Sequence, residues 1–414
     1  MKYPTRPLIK LMDEALAGTG SSYRTVAEFI KDSEKNTNAQ KSQDFIDDLM
    51  WKNTTLYFPD KVQTVLPTSV LSKVYRYPQE RARHIAISFL FGMVLSEFCG
   101  FYESLPEVLN RGNDAPLTKA ALAQRMWLIT SLSHDTGYSL KSKLSDINLV
   151  FETEYPRFLL TDTYNDPQMT SIQNFTVDYP RVFAHNYEQI LAYNDYIRKY
   201  KDWDPPHEVN DHGILGGLDM FDHLTRNMQV MDAHDRAQEL ALIKACCLTV
   251  AQHNIFKSGG HKYDNKYSEF KLDHLLSTSN FRITRETPLL LFLCLVDTIE
   301  CMKRFSQGAT KGSYLQATTI LKKISLYVDK EKIVLDFSDL KKHIDDKDKN
   351  VTDKAKKLDP IYQKHLNALK SFHTWTVFKG QADPDNENII TITLDPQHKT
   401  TPGLWGTSEK SEGL

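Results

Sequence analysis

The sequence predicts a mainly α protein, and three observations lead there. Apolar runs such as RARHIAISFLFGMVLSEFC and PLLLFLCLVDTIECMKRF are too long for strands and show no two-residue alternation. The segments LIKLMDEALA and TVAEFIKDSEK carry apolar residues at helical spacing. Strand-like alternation is confined to the end of the chain, in KISLYVDKEKIVLDF and NIITITL.

Taken in order, residues 1–75 form an N-terminal accessory helical segment, its helices separated by polar loops and prolines. Residues 76–310 hold the main helical bundle. Its first helix, RARHIAISFLFGMVLSEFC, is apolar almost all round and is expected to be buried. The second, TKAALAQRMWLITSLSH, follows Pro116 and stops near Gly137, a C-terminal signal. Residues 139–210 are an irregular insertion rich in Tyr, Asp and Pro, with one clear helix, NYEQILAYNDYIRKY. So long an irregular stretch is uncommon as idle loop, and a lid over a site is one role for it. Helices resume in GILGGLDMFDHLTRNM, RAQELALIKACCLTVAQH and PLLLFLCLVDTIECMKRF. Residues 311–414 read as a small α+β region: a hairpin, a lysine- and aspartate-rich helix and a last strand, with DPDNEN as a turn. That acidic turn lacks the glycine and terminal glutamate of a calcium loop. The final TPGLWGTSEKSEGL is expected to fray.

Composition excludes several classes. A 414-residue chain with 41% hydrophobic and 11% aromatic residues can bury a sizeable core. Its formal charge of -2 gives no basic excess for gripping long nucleic acid through phosphates. The longest wholly apolar run, Leu289 to Val296, is too short to span a bilayer as a helix, and the N-terminus has no apolar core of a signal peptide. The 5 cysteines sit in apolar runs without a CxxC pair, which fits buried reduced thiols in a cytoplasmic protein. P-loop, GxGxxG, GxSxG and HExxH motifs are absent.

What remains is a set of polar residues in apolar places. Asp297 interrupts LLLFLCLV-D-TI, where an ionised carboxylate would cost several kcal/mol unless paired or metal-bound. A salt bridge to Arg304 or Lys303 would also serve. His84 lies in RAR-H-IAISFLF, His253 ends LIKACCLTVAQH, and His212 opens ND-H-GILGGL. Each alone reads as a hydrogen-bonded structural histidine. His134-Asp135 closes a buried apolar helix, whereas His234-Asp235 lies in polar MDAHDRAQE and reads as surface. Together, imidazoles and carboxylates from separate apolar helices suit Mn, Fe, Co, Ni or Zn, and six such groups are enough for two ions.

The order His84, His134-Asp135, His212, His253, Asp297 resembles the HD superfamily of metal-dependent phosphohydrolases. WLITSLSHDTGYS looks like its apolar helix followed by HD-x-G, and NDHGILGGL, LTVAQHN and PLLLFLCLVDTIECMKRF are similar to its later steps. The resemblance covers roughly residues 76–310 and is closest to bacterial branches with an HDxGY pattern. Tyr138 stands where several phosphodiesterase branches carry lysine, so no role of that lysine transfers. The resemblance implies an HD-type helical bundle with two divalent transition metals. Asp135 would bridge them, His84, His134 and Asp297 would complete one, and His212 and His253 the other. His134 and Asp135 would then be the catalytic pair, and a water between the ions would attack phosphorus. Arg304, Lys257, His261 and Lys262 are candidates for holding the substrate's phosphate, although KSGGHKYDNKY also reads as a surface loop.

The expected partner is a small phosphorylated substrate such as a nucleotide, with no membrane. The rival readings are a di-iron oxygenase of the same fold, a regulatory or binding protein that keeps the fold and metal without turnover, and a single-strand nuclease. The metal-centre reading requires Asp297 to lie within a coordination shell of His134-Asp135.

Overall fold

The computed structural model describes residues 4–35, 79–101, 119–135, 288–306, 315–353, 357–395 and 404, with residues 212–213, 216–217, 220, 242–243, 245–247 and 249–253. These residues make a mainly helical protein with one small antiparallel sheet. The insertion 139–210, residues 254–287 and most of the C-terminal tail lie outside them; of that tail only Leu404 is described, and it is buried.

The chain opens with a short strand β1 (Arg6–Pro7) and helix α1 (Leu8–Gly18). Leu8, Leu11, Met12 and Leu16 recur at helical spacing and are buried together. Thr19 closes α1 by donating from its backbone and its hydroxyl to the Leu16 carbonyl. Helix α2 (Val26–Lys35) starts with a reciprocal cap. The Thr25 N–H donates to Glu28, and the Glu28 N–H donates to the Thr25 hydroxyl. Asp13 accepts the Val26 N–H at 2.7 Å and so ties α2 to α1.

Three apolar helices form the centre: α3 (Gln79–Cys99), α4 (Lys119–Ser133) and α5 (Pro288–Ile299). Each is buried on nearly every side, as an all-round apolar helix must be. Trp127 of α4 joins them. Its indole N–H donates to the Phe89 carbonyl of α3 at 3.0 Å, and its ring meets Phe292 of α5 edge-on. Gly92 makes this possible, because a Cβ there would lie 2.1 Å from Trp127. The separate stretches at 212–220 and 242–252 are also helical where described and buried throughout.

The sequence reads PLLLFLCLVDTIECMKRF as one helix, but the structure breaks it. Helix α5 stops at Ile299, and a short α6 (Met302–Ser306) follows. The break has a local cause: the Glu300 carboxylate accepts the Met302 N–H at 2.5 Å, as a cap does.

After α7 (Ala317–Lys322) come β2 (Ser325–Val328), β3 (Lys332–Asp336), α8 (Ser338–Asp348), α9 (Asp359–Lys370), a 3-10 turn at Phe372–Thr374, β4 (Phe378–Ala382) and β5 (Ile389–Leu394). The sheet order is β1-β2-β3-β5-β4, with every pair antiparallel. The expected hairpin, lysine- and aspartate-rich helix and last strand are present, and DPDNEN forms the β4–β5 turn. Helix α9 and strand β4 add to that expectation. So does β1, whose Arg6 and Pro7 pair with Leu326 and Ser325. The N-terminal segment thereby contributes the edge strand of the C-terminal sheet, and residues from Leu8 to Leu404 share one contiguous core.

Candidate metal centre

The helix ends deliver polar side chains into the middle of this core. His84 projects from α3, His134 and Asp135 follow the last turn of α4, and Asp297 sits near the end of α5. His212 and His253 come from the two separately described helical stretches. All but Asp297 are buried, and the Asp297 side chain is 26% exposed.

All six residues named from the sequence as ligands are brought together. The His84 Nε2 lies 3.1 Å from Asp297 Oδ1 and 3.3 Å from His134 Nε2. Asp297 Oδ1 is 3.7 Å from His134 Nε2, so the acid stands within reach of the His134-Asp135 pair. Asp135 faces both ways: Oδ1 is 3.5 Å from His212 Nε2 and 3.7 Å from His134 Nε2, and Oδ2 is 3.8 Å from His84 Nε2. The His253 ring packs edge-on against those of His134 and His212, with centroids 5.5 and 5.0 Å away.

Two groups of donor atoms emerge, His84–His134–Asp297 and Asp135–His212–His253, and in each the atoms lie within 4.8 Å of one another. Either group could hold a metal ion. The donor chemistry fits a borderline transition metal, since imidazole nitrogen and carboxylate oxygen are its usual ligands. The outward ring nitrogens fit as well. His134 Nδ1–H donates to the Ser131 carbonyl at 2.7 Å, and His253 Nδ1–H to the Val250 carbonyl at 2.6 Å. A carbonyl only accepts, so both rings carry a proton on Nδ1, and in the neutral ring this turns an Nε2 lone pair inward. These carbonyls are the ones a helix leaves unbonded at its C-terminus, so a histidine at the end of an apolar helix is well placed to use them. Burial, with His134 beside it, holds the His253 imidazole below its ordinary pKa, in the neutral form that binds metal.

Gly217 sets the spacing of the second group. A Cβ there would meet the Cys247 carbonyl at 2.6 Å and the Ala251 Cβ at 2.8 Å. Its absence lets the helix that carries His212 lie directly on the helix that ends at His253. Gly217, the last glycine of HGILGGL, thus serves helix contact.

Glu300 belongs to the cluster and is missed by the sequence reading. It is buried, and its Oε2 lies 2.5 Å from His84 Nδ1. A signal was available: Asp297 and Glu300 are three residues apart at the end of an apolar helix, which puts two acids on one face. Among the four phosphate-holding candidates, Arg304 is half-buried and its charge acts on buried His365 and Cys301. Lys257, His261 and Lys262 lie outside the described residues, as does Tyr138. The 5 cysteines are all buried and none is in a disulfide, and burial pushes the Cys247, Cys294 and Cys301 thiols up. Among the described residues no helix is long and apolar enough to cross a membrane.

No protein-family profile matches the chain, and neither a curated protein nor a solved structure matches it.

Proposed function

We propose that the protein is a metal-dependent phosphohydrolase of the HD-superfamily type, acting on a nucleotide or similar small phosphate ester through a two-metal centre. The observation that carries this reading is the position of Asp135, whose Oδ1 lies between His212 of one donor group and His134 of the other while its Oδ2 faces His84. A carboxylate shared between two sets of imidazoles suits a bridging role. Each set would then supply only a few protein ligands and leave coordination positions open for water and substrate.

His84, His134 and Asp297 would hold one ion, and His212 and His253 the other, with Asp135 common to both. Bound there, divalent transition metals supply Lewis-acid activation of a water and of a phosphoryl oxygen. The chain's own contribution is orientation and dryness. Ser131 and Val250 fix the His134 and His253 rings, Gly217 fixes the distance between the last two helices, and the apolar helices exclude water behind the cluster. The exposed flank of Asp297 is the approach for substrate.

The test pairs metal analysis with a substrate panel. Protein purified without chelator is expected to carry close to two transition-metal ions per chain. It is expected to hydrolyse at least one member of a panel of nucleotides, cyclic dinucleotides and single-stranded DNA when supplied with Mn, Fe, Co, Ni or Zn in turn. Full-rate hydrolysis by metal-free protein would overturn the reading. Oxygen uptake by the iron-loaded form, with no phosphate release from any substrate, would replace it with oxidative chemistry.

A further inference from the structure

We propose that Glu300 is a positioning residue that fixes the proton of His84 on Nδ1 and thereby makes Nε2 a metal ligand. This inference rests on the metal-centre reading above. His84 is clasped between two acids of neighbouring helical turns. Its Nε2 lies 3.1 Å from Asp297 Oδ1, and its Nδ1 lies 2.5 Å from Glu300 Oε2. Two arrangements of a neutral ring therefore compete. With the proton on Nε2, His84 hydrogen-bonds Asp297 and cannot bind metal through that nitrogen. With the proton on Nδ1, it hydrogen-bonds Glu300 and offers Nε2 to the ion.

The surroundings of Glu300 decide between them. Its Oε1 accepts the backbone N–H of Met302 at 2.5 Å, and a backbone N–H can only donate. A carboxylate has a second acceptor oxygen left for His84, so the Nδ1–H form is the one it favours. The Ser88 hydroxyl, 3.3 Å from the same Nδ1, can accept a share of that proton or donate elsewhere, so it imposes neither form. His134 and His253 obtain the same tautomer from carbonyls at helix ends. His84 sits within α3, where the carbonyls are engaged in the helix, and takes a carboxylate from the break between α5 and α6 instead.

Glutamine at this position cannot satisfy both neighbours. If its oxygen keeps the Met302 N–H, its NH2 faces Nδ1 and drives the ring proton to Nε2, against Asp297. If its oxygen faces His84, its NH2 opposes the Met302 N–H inside the core. Alanine imposes neither arrangement and leaves Nδ1 free to use Ser88. Glu300→Gln, the closer match in shape, is therefore expected to harm metal binding more than Glu300→Ala.

Zinc titration by calorimetry of wild type and both variants tests this, with circular dichroism as the check on folding. Wild type is expected to bind two ions. Glu300→Gln should weaken the ion held by His84, His134 and Asp297 by about 100-fold and Glu300→Ala by about 10-fold, with the second ion nearly unchanged in both. Equal affinity in wild type and Glu300→Gln, or a greater loss in Glu300→Ala, would overturn the proposal. A second measurement needs no variant at this position. In zinc-loaded wild type with 15N-labelled histidine, the His84 resonance, assigned through His84→Gln, should show a metal-bound Nε2 and a protonated Nδ1. Metal on Nδ1 refutes the inference about Glu300. A wild type that binds no metal ion at all refutes the metal-centre reading itself.

Discussion

Two histidines are buried to nearly the same degree in two regions of the molecule. His84, in the helical centre, is 2% exposed, and both ring nitrogens lie beside carboxylates. His365, on α9 between the sheet and the centre, is 0% exposed, and neither ring nitrogen has a hydrogen-bond partner among the described residues. Its neighbours are the Phe337 ring, edge-on at 5.5 Å, and the charge of Arg304. Burial of an imidazole therefore does not by itself mark a site. The number of acceptors gathered around it does. In the centre the fold collects acids and imidazoles that could hold a cation, while under the sheet it tolerates one neutral ring as packing.

The sharpest way to break that contrast is to remove the shared acid. Asp135→Ala is expected to empty both donor groups and abolish phosphoester hydrolysis to the background rate, with the fold retained. Metal analysis, activity and circular dichroism measured on one preparation check it. A chelator should lower the Tm of wild type, because an ion bound only by the folded state at 100 times its Kd adds about 2.7 kcal/mol. The Tm of Asp135→Ala should not move. A variant that retains both ions would remove Asp135 from the centre of the arrangement and leave the two histidine environments without a functional distinction.

Next in size are the glycines that set helix spacing. Gly217→Ala places a methyl 2.6 Å from the Cys247 carbonyl, which is backbone and cannot swing aside. Overpacking of this kind costs about 1–3 kcal/mol. The expected result is a lower Tm with preferential loss of the ion held by His212 and His253. Gly92→Ala, which meets the Trp127 ring at 2.1 Å, should destabilise at least as much but disturb the crossing that presents His84 to His134. Chemical denaturation and metal titration separate the two. Identical losses from both ions in both variants would show that the donor groups are not spaced independently.

Most of this centre was legible in the chain because its signal is contrast. A histidine or aspartate in an apolar helix stands out whatever the fold, and His84, His134, Asp135, His212, His253 and Asp297 all did. Glu300 did not stand out, because it sits at the end of the run beside ECMKR, where an acid reads as the start of a polar surface. In the structure it shares the inward face with Asp297, three residues earlier, and its carboxylate accepts the Met302 N–H where the helix breaks. The same limit explains the sheet. The alternation in NIITITL, buried at every second residue, announced β5, whereas Arg6–Pro7 is too short for any period and becomes a strand only because β2 lies alongside. Strand β4, FKGQA, was hidden by Gly380. A Cβ there would lie 2.1 Å from the Leu369 carbonyl, so the residue is fixed by its contact with α9 and not by strand propensity.

The smallest expected effect sharpens the comparison from the other side. Burial, aided by the Arg304 charge, lowers the His365 pKa to about 3. The unfolded chain titrates this histidine near 6.5, so between those values the unfolded state binds a proton that the folded state refuses. The neutral ring's contribution is complete above pH 6.5 and is lost progressively as pH falls towards 3. At pH 5 the loss amounts to about 2 kcal/mol relative to pH 7. His365→Leu removes the titrating group together with its two unsatisfied nitrogens. The variant is expected to match or exceed wild type at pH 7 and to lose correspondingly less stability by pH 5, as read by urea denaturation at both values. His84→Leu cannot behave this way, because it leaves Asp297 and Glu300 facing each other's side of the core without the ring between them. An acid profile for His365→Leu that parallels wild type would mean that His365 has found an acceptor after all, and the two regions would then bury their histidines by the same rule.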